Sequence, residues 1–549
     1  MSTVLPGIGV GTGSASGPVA RMAPPPQLPA PRPVTDPEAD TAALRRALTT
    51  LVADLEHRAA RAPQGTAADV LYTQAHMAAD PALADQAADA VHQGTDPAHA
   101  LTATFDGFRA QLLAAGGYFA ERATDLDDLR DRAVSHLLGL PLPGLPDPGH
   151  PYVLVADDLG PADTALLDPQ QVLALVTVRG GPTSHTAILA KALGLPAVVG
   201  CSSATYLHNG QTVLVNDGTV EVDPPPETVA EAARREQRRR ERATAVHGPG
   251  LTADGHPVAL LVNLGAPHEL SRAASADSEG VGLFRTEFLY LDRTEAPGLD
   301  EQTAAYRRVF DAFTGRRVVV RTLDAGADKP LPFATADDED NPALGVRGLR
   351  TAARDPRLLD TQLAAIAEAA RGSIADVWVM APMVSLPGEA AQFAARVRSH
   401  GLQVAGAMVE VPAAALRADR LAGVCDFLSI GTNDLAQYTF AADRTLGALA
   451  ELLDPWQPAL LDLVATTARA GADLGRPVGV CGEAASDPAL ALVLVGLGVS
   501  SLSMAPACLP EVRTALAAHP LAHCQDLAAL ARRAPDAATA RADVRRRML

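Results

Sequence analysis

The part of the chain beyond Gly250 alternates between short apolar runs and segments with a helical pattern. Strands that alternate with helices over roughly 250 residues are typical of a parallel (β/α)8 barrel. The alternation therefore predicts a TIM barrel over residues 251–549. Eight runs are the expected strands, at 256–264, 280–284, 317–323, 377–383, 404–409, 427–430, 478–481 and 502–504.

The rest of the chain predicts further domains, because 549 residues are too many for one hydrophobic core. Short apolar runs in 1–22 and 141–223 favour one small α/β domain. The Ala-rich stretch 37–140 has an interrupted helical pattern, which indicates an inserted bundle of about four helices. Residues 224–250 combine prolines with a highly charged helix, so we interpret them as an exposed linker. The expected fold class is multidomain α/β with a helical insert and a C-terminal barrel.

Composition limits the functional classes. The net charge of −18 at pH 7 argues against nucleic acid as a partner and favours basic partners. There is no run of 18 or more apolar residues and no basic-then-apolar leader, so we expect neither membrane insertion nor secretion. Five cysteines lie far apart without paired spacing, which favours free thiols in a reducing compartment. We therefore expect a cytoplasmic protein.

One histidine, His185, lies at the predicted start of a helix. An apolar run at 172–178 and two glycines precede it, and helix-forming residues follow it up to Gly194. Thr183 or Ser184 is the natural N-cap. The first turn of a helix offers unpaired N–H groups and a partial positive charge, which suit a phosphate. An isolated histidine would favour an ordinary loop position, whereas this pattern indicates a histidine that carries a phosphoryl group.

Polar residues follow the predicted barrel strands at the end where TIM-barrel sites form. Arg285, Arg321 and Arg444 come after separate strands, and guanidinium groups pair with carboxylate and phosphate oxygens. Glu410 and Asp434 follow two strands and offer the few carboxylate oxygens that Mg²⁺ takes from a protein. Together they predict a site for a small polyanion and Mg²⁺. A barrel hydrolase or aldolase would share the metal carboxylates but would have no use for a phosphohistidine.

Several segments resemble one family. Gly-Gly-x-Thr-Ser-His-Thr-Ala-Ile-x-Ala at 180–190 is similar to the phosphohistidine motif of enzyme I of the bacterial phosphoenolpyruvate:sugar phosphotransferase system, and to those of phosphoenolpyruvate synthase and pyruvate phosphate dikinase. The latter two need a large ATP-binding domain, but only 184 residues precede the histidine, without a Gly-rich nucleotide loop. Enzyme I is therefore favoured. Four more segments resemble its phosphoenolpyruvate-binding barrel: Gly-Leu-Phe-Arg-Thr-Glu-Phe-Leu, Val-Arg-Thr-Leu-Asp, Gly-Thr-Asn-Asp-Leu-Ala-Gln-Tyr and Val-Cys-Gly-Glu.

The resemblance implies a swivelling phosphohistidine domain and a role for each matching residue. His185 would attack phosphorus, with Thr183 orienting its imidazole, and Cys481 would protonate the enolate to give pyruvate. Glu410 and Asp434 would bind Mg²⁺. The residues that would bind phosphoenolpyruvate are Arg285, Arg321, Asn433, Arg444 and Lys329.

The resemblance also implies partners. In the family the helical insert docks the phosphocarrier HPr, which receives the phosphoryl group on a histidine in the first step of sugar uptake. Here His76, Met77, Asp80 and Asp85 are the expected contacts, although this stretch is only weakly acidic. The barrel domain would form a homodimer. The alternative interpretation is a regulatory paralogue that senses phosphoenolpyruvate, or one that serves a nitrogen pathway.

Overall fold

The structure is a computed structural model of the chain. It describes residues 2–548 except 12, 62–65, 116–122, 158, 160–166, 169, 182–185, 188–189, 191–192, 217, 292, 326–330, 336–338, 445, 447–448 and 450. Within that part, no helix is both long enough and apolar enough to span a bilayer.

The regular elements follow the predicted alternation. The strands are β1 Thr3–Pro6, β2 Ile8–Val10, β3 Ser14–Arg21, β4 Tyr152–Ala156, β5 Val172–Thr177, β6 Ala197–Val199, β7 Thr212–Asn216, β8 Thr219–Val222, β9 Ala259–Leu264, β10 Gly280–Phe284, β11 Arg317–Arg321, β12 Asp376–Ala381, β13 Val404–Val409, β14 Phe427–Ile430, β15 Val478–Val480 and β16 Ser501–Met504. The helices are α1 Pro37–Arg61, α2 Thr66–Ala78, α3 Pro81–His92, α4 Pro97–Ala115, α5 Ala123–Leu138, α6 Pro226–Ala245, α7 Leu270–Ser275, α8 Leu299–Ala312, α9 Thr351–Arg354, α10 Pro356–Ala370, α11 Pro387–Ser399, α12 Pro412–Leu416, α13 Ala418–Ala422, α14 Thr432–Phe440, α15 Pro458–Asp473, α16 Pro488–Gly496, α17 Leu509–Ala518, α18 Leu521–Arg533 and α19 Ala537–Met548.

The helical insert lies between β3 and β4 and has its own core, in which Leu51, Leu101 and Phe105 are fully buried. Among the described residues it contains five helices, α1 to α5, where the sequence predicted about four. The difference arises because Pro81 and Pro97 occupy the first turn of new helices, where the missing N–H is not needed.

The small α/β domain is built on an eight-stranded mixed sheet in the order β1-β8-β7-β3-β4-β5-β6-β2. Strands β3 to β6 are parallel, and the remaining neighbours pair antiparallel. Successive residues of β4 face opposite sides, so Leu154 lies in the core on one face and Val155 in the core on the other. Ala187 and Ala190, from the stretch after the predicted phosphohistidine, belong to the first of these cores.

The eight strands β9 to β16 are all parallel and close into a barrel. Each predicted apolar run overlaps one of them, and the predicted fold class is confirmed. The main core lies between the strands and the surrounding helices. The barrel interior holds a smaller cluster that includes Met380, Met408, Phe427 and Cys481.

Helix α6 touches both the small α/β domain and the barrel. Glu236 Oε2 accepts from the backbone N–H of Ser14 at 3.4 Å, while Arg239 forms ion pairs with Glu236 and with Glu511 of α17. Gly13 has a φ of +95°, and a Cβ there would lie 2.6 Å from Glu236 Oε2, so this close approach requires glycine. The linker helix therefore packs on both neighbours.

Candidate active site

Arg321 ends β11 with its guanidinium buried at the mouth of the barrel. Nη2 donates to Glu287 Oε1 at 2.5 Å, and Nη1 lies 3.2 Å from Asp324 Oδ2. Burial opposes the charge, but Glu287, Asp324 and Glu410 outweigh it and raise the pKa of Arg321. The buried Nε has no hydrogen-bond partner among the described residues. Glu287 and Asp324 therefore hold the charged guanidinium of Arg321 in place, and its Nε–H can still donate to a ligand.

A second buried arginine, Arg347, connects residues that follow β11 and β14. Its Nη2 lies 3.0 Å from Asp324 Oδ2, and its Nη1 donates to Asp434 Oδ1 at 3.1 Å and to the Tyr438 hydroxyl at 3.2 Å. Burial again opposes the charge, but Asp324 and Asp434 raise the pKa of Arg347. The other oxygen of Asp434 lies 3.7 Å from Arg444 Nη1. Asp434 is therefore held between two guanidinium groups.

Glu410 directly follows β13 and is 1% exposed. Its Oε1 accepts from the backbone N–H of Met383 at 2.6 Å. Met383 has a φ of +56°, a conformation that a non-glycine residue keeps only where its surroundings fix it. Burial, together with the nearby charges of Asp434 and Asp324, raises the pKa of Glu410 to about 8. Burial is the largest cause of this shift, and the two neighbouring carboxylates add to it.

Glu410 and Asp434 have the donor set that Mg²⁺ requires. They follow neighbouring strands, and a Cβ on Gly431 would lie only 2.9 Å from Glu410 Oε2, so the two strand ends approach closely. Within the described part of the chain, no group of three or more His, Cys, Asp or Glu side chains forms a metal cage. Mg²⁺ commonly takes one or two protein carboxylates and completes its shell with water and phosphate oxygens. The two carboxylates fit that mode of binding.

Cys481 directly follows β15 with its side chain inside the barrel, 3% exposed. The Ser429 hydroxyl donates to its Sγ at 3.2 Å, and Sγ lies 3.6 Å from the Ile430 carbonyl oxygen. Its own carbonyl oxygen accepts from Asn263 Nδ2 at 3.2 Å. Burial raises the pKa of the thiol, which keeps Cys481 protonated at neutral pH. A protonated thiol in this position is suited to act as an acid.

Asn433 and Arg285 lie at the same end of the barrel. Asn433 Oδ1 accepts from the backbone N–H of Glu483 at 3.3 Å, which joins the loop after β14 to the loop after β15. Arg285 directly follows β10, and a Cβ on Gly265 would lie 3.9 Å from its Nη1. The arginine therefore lies beside the end of β9.

Seven of the predicted site residues lie at the ends of five different strands or in the segments that follow them, at the C-terminal end of the barrel. They are Arg285, Arg321, Glu410, Asn433, Asp434, Arg444 and Cys481. The other three, His185, Thr183 and Lys329, lie outside the described residues.

Sequence reasoning assigned no role to Glu287, Asp324, Arg347 or Ser429, which hold the predicted residues in place. One signal was available, because Glu287 and Asp324 each follow a predicted arginine by two or three residues. A carboxylate so close indicates an ion-paired guanidinium rather than a free one.

Three family models match successive regions of the chain. The PEP-utilising enzyme N-terminal model matches residues 6–122, and the mobile-domain model matches residues 148–219. The PEP-binding domain model matches residues 239–520, which include the barrel strands and every described site residue. Fold and site together define the class of PEP-utilising enzymes.

Relatives that match most of the chain identify its family within this class. The chain is 52% identical over 551 residues to phosphoenolpyruvate-protein phosphotransferase of Streptomyces coelicolor, with 98% of each chain covered. It is 42% identical over 474 residues to the protein of that name from Haloferax volcanii, covering 82% of this chain and 81% of the relative. For the Bacillus subtilis relative, identity is 35% over 535 residues, with 93% of each covered. The chain belongs to the phosphoenolpyruvate-protein phosphotransferase family, and the resemblance to enzyme I is confirmed.

Proposed function

We propose that the chain transfers the phosphoryl group of phosphoenolpyruvate to His185 and then to a histidine of the carrier HPr, with release of pyruvate. The observation that carries this proposal is the barrel mouth, where buried arginines, two carboxylates and a protonated thiol lie together. Phosphoenolpyruvate is a small polyanion whose enolate needs a proton after the phosphoryl group leaves. Cationic, metal-binding and acidic groups at one opening match those three needs.

Arg285, Arg321 and Arg444 bind the substrate's phosphate and carboxylate in this proposal, and Asn433 and Lys329 add contacts. The unpartnered Nε of Arg321 supports this assignment, because a buried N–H without a partner is costly unless a ligand completes it. Glu287 and Asp324 hold the same guanidinium in place. A charge fixed before the substrate arrives stabilises the transition state without reorganisation.

Mg²⁺ is the proposed cofactor, with Glu410 and Asp434 as its protein ligands. When bound, it neutralises charge on the phosphoryl oxygens. The close approach of the strand ends that carry Glu410 and Asp434 supports a divalent cation at this point. The Met383 N–H and the Arg347 guanidinium keep the two carboxylates in position.

His185 attacks phosphorus in line in this proposal, with Thr183 orienting the imidazole. Thr186, which follows directly, is helical and fully buried, in keeping with a histidine held at the start of a helix. Further along, a Cβ on Gly194 would lie 3.5 Å from the Cβ of Ala507, which follows β16 at the mouth end of the barrel. That contact supports a pose in which the phosphohistidine domain faces the barrel.

The second half-reaction requires the carrier to dock on the helical insert, with residues 224–250 as the hinge. His76, Asp80 and Asp85 are exposed and Met77 is half-buried, which supports a docking face with polar and apolar parts. Homodimerisation through the barrel domain and a cytoplasmic location stay predictions.

The test of this function is the intact mass of the protein after incubation with phosphoenolpyruvate and Mg²⁺, beside a His185→Gln control. We expect one acid-labile phosphoryl group on the wild type, none on the control, and loss of the adduct when HPr is added. Phosphoryl transfer by His185→Gln would contradict the mechanism. A wild type that binds phosphoenolpyruvate without an adduct would favour the regulatory paralogue.

A further inference from the structure

A second buried residue, Ser429, lies beside the thiol of Cys481. It belongs to β14, which pairs in parallel with β15, so both side chains point into the barrel. Ser429 is 5% exposed, and its hydroxyl donates to Cys481 Sγ at 3.2 Å. Among the described residues this hydroxyl has no other hydrogen bond.

Stability alone does not account for a serine at this position. Ser429 shares its pocket with apolar side chains such as Trp378 and Phe427, and burying a hydroxyl beside them costs free energy that a sulfur acceptor compensates poorly. Alanine would fill nearly the same volume without that cost. The hydroxyl is therefore better explained by its effect on the thiol.

We propose that Ser429 is a positioning residue for the protonation of the enolate, acting through Cys481. The inference rests on the proposed function, in which Cys481 is the acid. The hydrogen bond fixes the sulfur, and the Asn263 amide fixes the backbone of the same residue, with Ser503 in turn donating to Asn263 Oδ1 at 2.6 Å. The thiol is thus held from two sides.

The hydroxyl has a second effect during the proton transfer. The S–H bond of Cys481 breaks, the proton forms the new C–H bond at carbon 3 of the enolate, and the enolate oxygen becomes the carbonyl oxygen of pyruvate. The sulfur keeps the electron pair, so a thiolate forms where the thiol is only 3% exposed. The Ser429 O–H keeps its own proton and donates to that thiolate. Hydrogen bonds to charged groups are the stronger class, so the contact gains strength as the charge develops.

The experiment is a single turnover of full-length enzyme in excess over phosphoenolpyruvate with Mg²⁺, quenched at successive times. Phosphoenzyme is followed by intact mass and pyruvate by chromatography of the quenched samples. The variants are Ser429→Ala, Ser429→Gly and Cys481→Ala. Ser500→Ala is the matched control, because among the described residues its hydroxyl bonds only to the backbone of Val478, at the opposite end of β15.

In the wild type and in Ser500→Ala we expect phosphoenzyme and pyruvate to form together. In Ser429→Ala and Ser429→Gly we expect pyruvate to trail phosphoenzyme, with the rate constant for pyruvate formation about 10- to 100-fold lower and that for phosphoenzyme formation unchanged. A purely structural role would lower both products together. Phosphoenzyme formation also shows that a variant is folded.

Coincident formation of both products at the wild-type rate in either Ser429 variant would overturn the inference. If Cys481→Ala delays pyruvate while the Ser429 variants do not, the proposed function stands and only the role of Ser429 is wrong. If the wild type gives no phosphoenzyme, the proposed function itself fails.

Discussion

The barrel mouth and the helical insert both contain arginine–carboxylate pairs, but the pairs differ in burial. The side chains of Arg321 and Glu287 at the mouth are 9% and 5% exposed, whereas those of Arg45 and Asp85 on the insert are 50% and 64% exposed. Exposed pairs contribute little to stability, and buried pairs carry a desolvation cost that replacement by apolar residues would avoid. Buried charge at the mouth is therefore not explained by stability alone, which agrees with the proposed role of these residues in binding the substrate.

The largest expected effect comes from Arg321→Met, which leaves Glu287 and Asp324 buried without their partner. We expect phosphoenzyme formation to slow by about 1000-fold and the free energy of unfolding of the barrel to fall by about 3–5 kcal/mol. Urea denaturation followed by tryptophan fluorescence measures the second effect, because both tryptophans, Trp378 and Trp456, lie in the barrel.

A double variant, Arg321→Met with Glu287→Gln, is the control for this prediction. It should regain part of the lost stability, since one uncompensated charge is removed, and none of the activity. An unchanged unfolding midpoint in Arg321→Met would mean that the pair at the mouth resembles the exposed pairs of the insert.

Glu410→Gln is expected to change activity and stability in opposite directions. Mg²⁺-dependent phosphoenzyme formation should fall by about 100-fold or more, because one proposed metal ligand loses its charge. In metal-free buffer at pH 7 the barrel should become more stable by about 1–3 kcal/mol, because folding no longer has to protonate or bury a carboxyl group that is ionised in the unfolded chain. The glutamine oxygen can still accept from Met383. A lower urea midpoint by tryptophan fluorescence would contradict this account.

A smaller effect is expected at Asp360, on the outer surface of the barrel. Hydrogen bonds from Arg396 and His400 lower the pKa of Asp360. Its stabilising contribution is therefore complete above the ordinary aspartate pKa of about 4 and is lost as the pH falls through the lower folded value. Asp360→Asn should lower the urea midpoint slightly at pH 7, by under about 1 kcal/mol since the carboxylate is half-exposed, and the gap to the wild type should narrow below about pH 4. A difference between the two urea midpoints that grows as the pH falls would contradict a lowered pKa of Asp360.

The smallest effect is expected from Arg45→Ala, which removes the exposed pair with Asp85. We expect a change below about 0.5 kcal/mol in stability, and less at high salt. Thermal unfolding followed by circular dichroism at 222 nm measures it, since the insert is helical. A loss comparable with that of Arg321→Met would remove the distinction between the two regions.

The fold was predictable because each barrel strand is a short apolar run between helical segments. Strand ends were less accurate: β9 begins at Ala259, although the run starts at residue 256, because Pro257 pairs instead with Leu251 in a separate antiparallel bridge. A proline can begin a helix as readily as end one, and Pro81 begins a helix in the insert. The sequence therefore predicted about four helices there, whereas the described residues form five.

The position of the candidate arginines and carboxylates at the barrel mouth was predictable because they directly follow apolar runs or lie in family motifs. The groups that hold them were not. Arg347 follows no barrel strand directly, and its link between Asp324 and Asp434 exists only once the closed barrel brings the ends of β11 and β14 together. Ser429 faces Cys481 only because β14 and β15 are neighbours in that barrel.

The burial of Cys481 also has a consequence for redox chemistry. Oxidants and alkylating agents react with thiols that are both ionised and accessible to solvent. Cys481 is neither, because its pKa is raised and only 3% of the residue is exposed. Conversion to a sulfenic acid would remove the proton that the proposed reaction needs. The burial that favours the protonated thiol therefore also protects it from oxidation.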